Sequence, residues 1–153
     1  MLFSRTAEYA IRAMTFLATQ PPGKLTGAKA ISSAEKIPMP FLWKILQTLA
    51  HRRLIRSFKG LHGGYELASP AGQIPLLAIV QAMNMVDPVN RCAMGLARCG
   101  EGPTCPLHDA WKDLRERAVA MLEQNTLADL ARAAKRYRRP PRRRSGKRAS
   151  SRR

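Results

Sequence analysis

Apolar residues recur at helical spacing along the first third of the chain. Residues 5 to 19 place them on one stripe, which predicts an amphipathic helix that ends before Pro21-Pro22-Gly23. A second, shorter helix is predicted from Ala28 to Lys36, with Thr26 as its N-cap. The connector Ile37-Pro38-Met39-Pro40 then places a proline in the first turn of the next helix.

The third predicted helix, from about Phe41 to Arg53, separates its apolar and polar side chains most clearly. At about 100° per residue, one face carries only aliphatic side chains, namely Leu42, Ile45, Leu46 and Leu49. The opposite face carries Pro40, Trp43, Lys44, Gln47 and His51. Such a face is typical of a recognition helix in the major groove of DNA. The alternative is an ordinary solvated helix face.

Two short strand-like runs follow, Leu54–Phe58 and Tyr65–Ala68. They flank Lys59-Gly60-Leu61-His62-Gly63-Gly64, whose glycines allow the positive φ angles of a hairpin turn. A helix pair followed by a basic-tipped hairpin predicts a mostly α fold, a winged helix-turn-helix, in which Lys59 and His62 reach phosphates or the minor groove. The predicted DNA contacts are Pro40, Phe41, Trp43, Lys44, Gln47, His51, Arg52, Arg56, Lys59, Gly60 and His62.

Beyond the wing, residues 75 to 83 are apolar enough to form a mostly buried helix. From Leu107 the chain is helical again, and its apolar residues recur at a period close to 3.5, which marks a seam between helices. The seam consists of Leu107, Trp111, Leu114, Ala118 and Met121. It predicts a long dimerisation helix, with packing on the same chain as the alternative. Thr126 and Asp129 predict a capped start for a last helix that ends near Tyr137.

All three cysteines lie in one loop, in the pattern Cys-x6-Cys-x5-Cys-x2-His from Cys92 to His108. The glycines and prolines between them make an irregular loop that can bring thiolates to one point. Thiolates with an imidazole suit an iron–sulfur cluster or a zinc ion. Thiols that merely share a loop are the alternative. An odd cysteine count argues against a secreted disulfide framework.

The net charge of the chain indicates what kind of partner it binds. The chain has 27 Lys and Arg against 10 Asp and Glu, a net charge of +17, which indicates a polyanionic partner and above all nucleic acid. Residues 138 to 153 hold nine of the basic residues and no acid, which predicts a disordered tail attracted to DNA phosphates. No acidic residue lies between Glu35 and Glu66, so a second basic surface is expected there.

Catalysis and membrane insertion are both unsupported. No nucleophile–base pair, phosphate-binding Gly-rich loop or paired acidic site is visible, so we do not expect an enzyme. The longest strongly apolar run, Leu76 to Val80, is far too short to span a bilayer. No secretory signal is visible either. We expect a cytoplasmic protein.

The order of helix-turn-helix, wing, cysteine loop and long helix resembles the Rrf-type family of bacterial winged-helix regulators, which includes the IscR, NsrR and RirA types. The likeness covers residues 1 to about 135. It rests on Tyr9-Ala10, Ala13-Met14, Phe41-Leu42-x-Lys44-Ile45-Leu46-x-x-Leu49, Lys59-Gly60-x-x-Gly63-Gly64-Tyr65, the three-cysteine loop, and Cys105-x-x-His108-x-x-Trp111-x-x-Leu114. The last tract is especially like the iron–sulfur assembly regulators of the IscR type.

This resemblance implies a homodimeric transcription regulator, of the repressor kind, whose iron–sulfur cluster senses iron, redox state or nitric oxide and sets operator affinity. Cys92, Cys99 and Cys105 would be the thiolate ligands. His108 is the favoured fourth ligand, and Glu8 from the partner subunit is the alternative. A 2Fe–2S cluster is favoured over 4Fe–4S, although the first cysteine gap is six where five is common in the family. Double-stranded operator DNA and RNA polymerase are the candidate macromolecular partners.

The predicted organisation has four parts: a DNA-binding domain (1–84), a cluster-binding loop (85–106), the dimerisation and C-terminal helices (107–137), and the basic tail (138–153). Two other functions stay open at this point. One is a winged-helix DNA-binding protein with a purely structural zinc site. The other is a basic protein that binds nucleic acid without sequence preference.

Overall fold

Helices dominate the part of the chain that the structure describes. This computed structural model describes residues 4–83, Cys92 and residues 105–137. The elements are α1 (Arg5–Thr19), α2 (Ala28–Glu35), α3 (Met39–His51), β1 (Ile55–Phe58), β2 (Gly64–Leu67), α4 (Leu76–Ala82), α5 (His108–Gln124) and α6 (Leu127–Tyr137). They confirm the predicted mostly α, winged helix-turn-helix fold. Cys99 and the basic tail, residues 138–153, lie outside the described residues.

Helix α1 is the centre of the fold. The hydroxyl of Ser4 accepts a hydrogen bond from the N–H of Ala7 at 3.2 Å, which satisfies one of the open donors at the start of the helix. The prolines after Gln20 prevent further helix. The buried stripe of α1 packs against α2, α3, α4 and α6. It consists of Ala7, Ala10, Ala13, Met14 and Leu17.

Helices α2 and α3 form the predicted helix-turn-helix. Lys36 adopts a left-handed conformation with φ 51°, which ends α2 one residue before the predicted boundary. Helix α3 begins at Met39, two residues earlier than predicted, because Pro40 is compatible with the first turn. It ends at His51, and Arg53 turns the chain towards β1 with φ 59°. The predicted aliphatic face of α3 is buried, as Leu42, Ile45, Leu46 and Leu49.

The predicted N-cap role of Thr26 is wrong. Gly27 occupies the N-cap of α2, and no side chain caps that helix. Thr26 instead forms an isolated β-bridge with Tyr65, through backbone hydrogen bonds of 3.0 and 2.9 Å. This pairing with the wing holds Thr26 in the protein interior, where 6% of its surface is exposed. A contact across thirty-nine positions of the sequence therefore outweighs the local preference of threonine for a cap.

Strands β1 and β2 pair antiparallel and form the predicted wing. Ile55 lies opposite Leu67 at the base, and Phe58 lies opposite Gly64 near the tip. Ile55 is buried, while the rest of β1 is exposed. The wing therefore projects from the core with its base packed and its tip in solvent.

The last two helices pack back on the first part of the chain. Leu76 donates its N–H to the carbonyl of Asn125 at 3.0 Å, and Leu127 donates to Ile74 at 2.9 Å, which joins the starts of α4 and α6. The predicted cap of α6 is confirmed, since the N–H and hydroxyl of Thr126 donate to the Asp129 carboxylate at 2.8 and 2.7 Å. These hydrogen bonds hold the pKa of Asp129 below its ordinary value of 3.8. Among the described helices, none has the length and hydrophobicity to cross a membrane.

Candidate DNA-binding surface and cysteine site

The outward face of α3 has the exposure that a recognition helix requires. Trp43 exposes 59% of its surface and Phe41 58%, large values for aromatic residues in a helix with a buried opposite face. Lys44 and Gln47 are exposed beside them. The helix thus presents aromatic surface, an ammonium group and an amide on one side, a set that can contact thymine methyls, phosphates and base edges.

Basic residues continue from the end of α3 into the wing. Arg52 caps the helix through its N–H, which donates to the carbonyl of Thr48 at 2.9 Å. Lys59 and His62 lie at the exposed wing tip. Every residue predicted to contact DNA is exposed: Pro40, Phe41, Trp43, Lys44, Gln47, His51, Arg52, Arg56, Lys59, Gly60 and His62. Exposure is a condition for their role, which stays a prediction.

Arg56 differs from the other basic residues of this surface. Its guanidinium lies 3.1 Å from the carboxylate of Glu66, directly across the two strands. The Glu66 side chain is 17% exposed, so the acid is largely screened from solvent. This pair cannot be predicted from local sequence, because the register of the two strands decides it. Glu66 offsets part of the positive charge of Arg56. Lys59 and His62 are therefore the main basic groups at the wing tip.

The wing tip also exposes a residue that sequence reasoning passed over. Leu61 is 95% exposed, between Gly60 and His62. The signal was an aliphatic residue in the middle of a turn, where polar residues are usual. The turn is closed by a hydrogen bond of 3.0 Å from the N–H of Gly63 to the carbonyl of Gly60.

The cysteine site is described in part. Cys92 is buried at 7% exposure and Cys105 is half-buried. His108 is the first residue of α5, and its N–H donates to the carbonyl of Cys105 at 3.0 Å. Thiols and an imidazole are the donor types that iron–sulfur clusters and zinc take, so the chemistry of this set fits either group. Within the described residues, no three such side chains come together in a metal-binding group, and Cys99 lies outside them.

Glu8, the alternative fourth ligand, lies on α1. Its carboxylate accepts a hydrogen bond from Arg12 at 3.1 Å, and the side chain is 54% exposed. It is therefore accessible to a second subunit. His108 stays the favoured fourth ligand, and Glu8 stays the alternative.

Helix α5 exposes an apolar stripe in the single chain. Leu107, Leu114 and Met121 expose 54%, 47% and 50% of their surfaces, and Trp111 and Ala118 are half-buried. The helix contacts α4. The role of this stripe as a dimer interface stays a prediction.

Comparison with known proteins agrees with this architecture. The model of the family Rrf2, described as an iron-dependent transcriptional regulator, matches residues 3–133. An HTH-type transcriptional regulator of Mycobacterium tuberculosis is 39% identical over 132 residues, which cover 86% of this chain and 81% of the relative.

Two solved structures are similar in fold. CymR, the global cysteine regulator of B. subtilis, superposes with a TM-score of 0.73 at 23% identity, covering 86% of this chain and 96% of that one. IscR of T. potens superposes with a TM-score of 0.71 at 21% identity, covering 90% of each chain.

Proposed function

The chain belongs to the Rrf2 family of transcriptional regulators, and from this premise we propose that it binds operator DNA as a homodimer whose affinity is set by an iron–sulfur cluster. That the chain is a DNA-binding transcription regulator, and not an enzyme, follows from the family. One observation carries the cluster proposal: Cys105 and His108 lie at the start of α5, the helix that exposes the apolar stripe. The regulator would act on chromosomal DNA, and therefore in the cytoplasm. There it would exclude or contact RNA polymerase.

The exposed face of α3 would enter the major groove. Gln47 and Lys44 have the donors and acceptors that base edges and phosphates pair with, and Trp43 offers apolar surface to thymine methyl groups. Lys59 and His62 on the wing would contact phosphates on the neighbouring stretch of duplex. Phosphate contacts fix the position of the protein, while the α3 contacts select sequence.

The stripe on α5 would form the dimer interface. Two-fold symmetry brings the same patch of each subunit together, so an apolar stripe on one helix can be buried by its own copy. The dimer would hold two α3 helices at a fixed separation. Its operator would accordingly be a near-palindrome with two half-sites.

The proposed ligands are Cys92, Cys99 and Cys105, with His108 as the fourth and Glu8 of a second subunit as the alternative. A 2Fe–2S cluster is favoured and 4Fe–4S is the alternative. When bound, the cluster supplies a group whose oxidation state and integrity respond to iron, oxidants or nitric oxide. A fourth ligand that is not a thiolate raises the reduction potential, which suits a sensor.

Coupling to DNA requires only that the two ligation states favour different arrangements of α5. Cys92 lies after α4, which packs on α1 and α3, and Cys105 lies three residues before His108, the first residue of α5. Ligation would hold His108 and the first turn of α5 relative to the recognition helix. A difference of about 1–3 kcal/mol between the two states changes DNA affinity by roughly 5- to 150-fold.

The test is an absorption spectrum of protein purified without oxygen, with iron, sulfide and zinc counted per chain. We expect a brown or red protein with iron and sulfide in equal amounts. A colourless protein with about one zinc per chain would refute the cluster and leave the DNA-binding function standing. A colourless protein without metal would be reconstituted with iron and sulfide, and failure to take up a cluster then would also refute it.

Variants identify the ligands. Cys105→Ala should prevent cluster uptake, whereas His51→Ala, an imidazole on α3, is the matched control and should keep it. Comparing His108→Ala with Glu8→Ala decides the fourth ligand, because only the variant of the true ligand shifts the absorption bands.

A further inference from the structure

We propose that Leu61 is an apolar wedge, which the wing inserts into the minor groove of the operator at one base step, so that the duplex kinks there. The proposal rests on the DNA-binding function above. It adds a residue that acts on the shape of DNA and thereby on the choice of sequence.

The surroundings of Leu61 point to DNA. At 95% exposure it is the most exposed of the large hydrophobic residues in the described part of the chain. Single exposed leucines are ordinary on protein surfaces. This one, however, lies between Lys59 and His62 and on the stretch without acidic residues from Lys36 to Tyr65. A tip with this charge is attracted to a polyanion, which brings the leucine to the groove along with its basic neighbours.

The turn that carries Leu61 is conformationally restricted. Gly60 has φ 103°, a value that L side chains rarely adopt, and its carbonyl accepts from Gly63 at 3.0 Å. A β-carbon on Gly63 would come within 2.1 Å of the Phe58 carbonyl oxygen, so the chain folds tightly back at that point. Leu61 is thereby held outward by backbone geometry, without any packing of its own side chain.

The start of β2, next to the turn of the wing, is tied to the body of the protein. Tyr65 exchanges backbone hydrogen bonds of 3.0 and 2.9 Å with Thr26, which adds a third segment beside β2. Gly64 allows this approach, because a β-carbon there would lie 2.9 Å from the Thr26 backbone. A wedge has to resist the force of unstacking, and these ties supply that resistance.

Apolar wedges have a known physical effect on DNA. Leucine, phenylalanine or methionine pushed between base steps from the minor groove unstacks them and bends the duplex by about 20–90° towards the major groove. The steps TA and CA/TG unstack most easily, so a wedge prefers them although it forms no hydrogen bond with a base. Leu61 would therefore generate a sequence preference at the step that it enters, at a fixed distance from the α3 contacts.

The experiment starts from duplexes that the full-length protein selects out of a random-sequence pool. These selected duplexes serve as the DNA probe for the bending measurement. Bending is then measured by energy transfer between dyes at the two ends of a selected duplex. Selection is repeated with Leu61→Ala, Leu61→Met and Leu61→Lys. None of these substitutions removes a packed side chain, so each variant should fold.

We expect Leu61→Ala to reduce the bend by about 20° or more and to lower the preference for a flexible step at the wing position about tenfold. Leu61→Met should keep both. Leu61→Lys should lose both while it binds more tightly at low salt, because it adds a phosphate contact.

Two results would overturn the proposal, and they differ. If Leu61→Ala bends the selected duplex as the unsubstituted protein does and prefers the same step, the wedge is wrong and the DNA-binding function stands. If the unsubstituted protein selects no sequence at all, the DNA-binding function itself fails, and the wedge with it.

Discussion

Arg12 joins α1 to the end of α2. Its guanidinium lies 3.1 Å from the carboxylate of Glu8 and 3.7 Å from that of Glu35, and it donates to the carbonyl of Glu35. The same group lies 5.7 Å from the centre of the Tyr9 ring. Since Glu35 ends α2 just before the turn into α3, Arg12 fixes the position of that turn on α1.

Replacing Arg12 by methionine tests this role. The Glu35 side chain is 11% exposed, so its carboxylate loses a cation in a mostly buried place. We expect Arg12→Met to lower the free energy of unfolding by about 1–2 kcal/mol. The measurement is urea denaturation of metal-free protein at one fixed concentration.

The matched control is Glu8→Gln, which removes only the exposed pair on α1. Such pairs contribute about 0.5 kcal/mol or less. If both variants lower the free energy of unfolding by the same amount, the contacts of Arg12 with Glu35 do not contribute to stability.

Single residues were the hardest features to predict from the sequence. Thr26 before a helix has the local pattern of a cap, yet its backbone pairs with Tyr65. The ion pair of Arg56 with Glu66 is likewise a consequence of strand register. Both depend on contacts between distant segments, and local propensity carries no information about those. Leu61 was missed for another reason, because apolar residues are usually assigned to a core.

At the scale of elements, α3 has one face that stabilises the core and an opposite face that is available for recognition. Leu46 is fully buried on one side, and Gln47, its neighbour in sequence, is exposed on the other. The two residues have similar helix propensity, so their replacement by alanine changes mainly what each side chain contacts.

We expect opposite outcomes for this pair. Leu46→Ala should lower the free energy of unfolding by about 2–4 kcal/mol, since it leaves a cavity in the core. Gln47→Ala should change stability by about 0.5 kcal/mol or less, while operator affinity falls by roughly 1–3 kcal/mol if Gln47 pairs with a base edge. Urea denaturation and titration of a selected duplex measure the two quantities. A Gln47→Ala variant with unchanged affinity would remove this residue from the recognition surface.

Elements were predictable where the sequence has a period. The stripe of α1 and the two faces of α3 follow from residues three and four apart, and the wing follows from two short runs around glycines. Boundaries moved by one or two residues, at Lys36 and Met39, where backbone conformation and proline geometry decide. The cysteine site has no period. Cys92 and Cys105 could be named as ligands only from residue type and family resemblance.

At the scale of the whole molecule, the apolar stripe on α5 is a surface that the single chain leaves exposed to solvent. Leu114 exposes 47% of its surface and Met121 exposes 50%, on a helix that also carries charged residues on its other side. We expect an apolar stripe of this kind to be buried in a dimer interface with core-like packing. Dimerisation would also multiply DNA affinity, because the second α3 binds at high effective concentration once the first is bound.

Leu114→Lys should therefore separate the subunits without unfolding them. The lysine would place a charge without a partner in an apolar interface, which costs several kcal/mol in the dimer and little in the exposed single chain. Sedimentation equilibrium should show a dimer for the unsubstituted protein and a monomer for the variant, with equal helical circular dichroism. Glu116→Lys is the matched control, because at about 100° per residue position 116 lies opposite the stripe, and it should remain dimeric. If Leu114→Lys stays dimeric, the subunits associate through another surface, and the spacing of the two α3 helices would have to be derived from that surface instead.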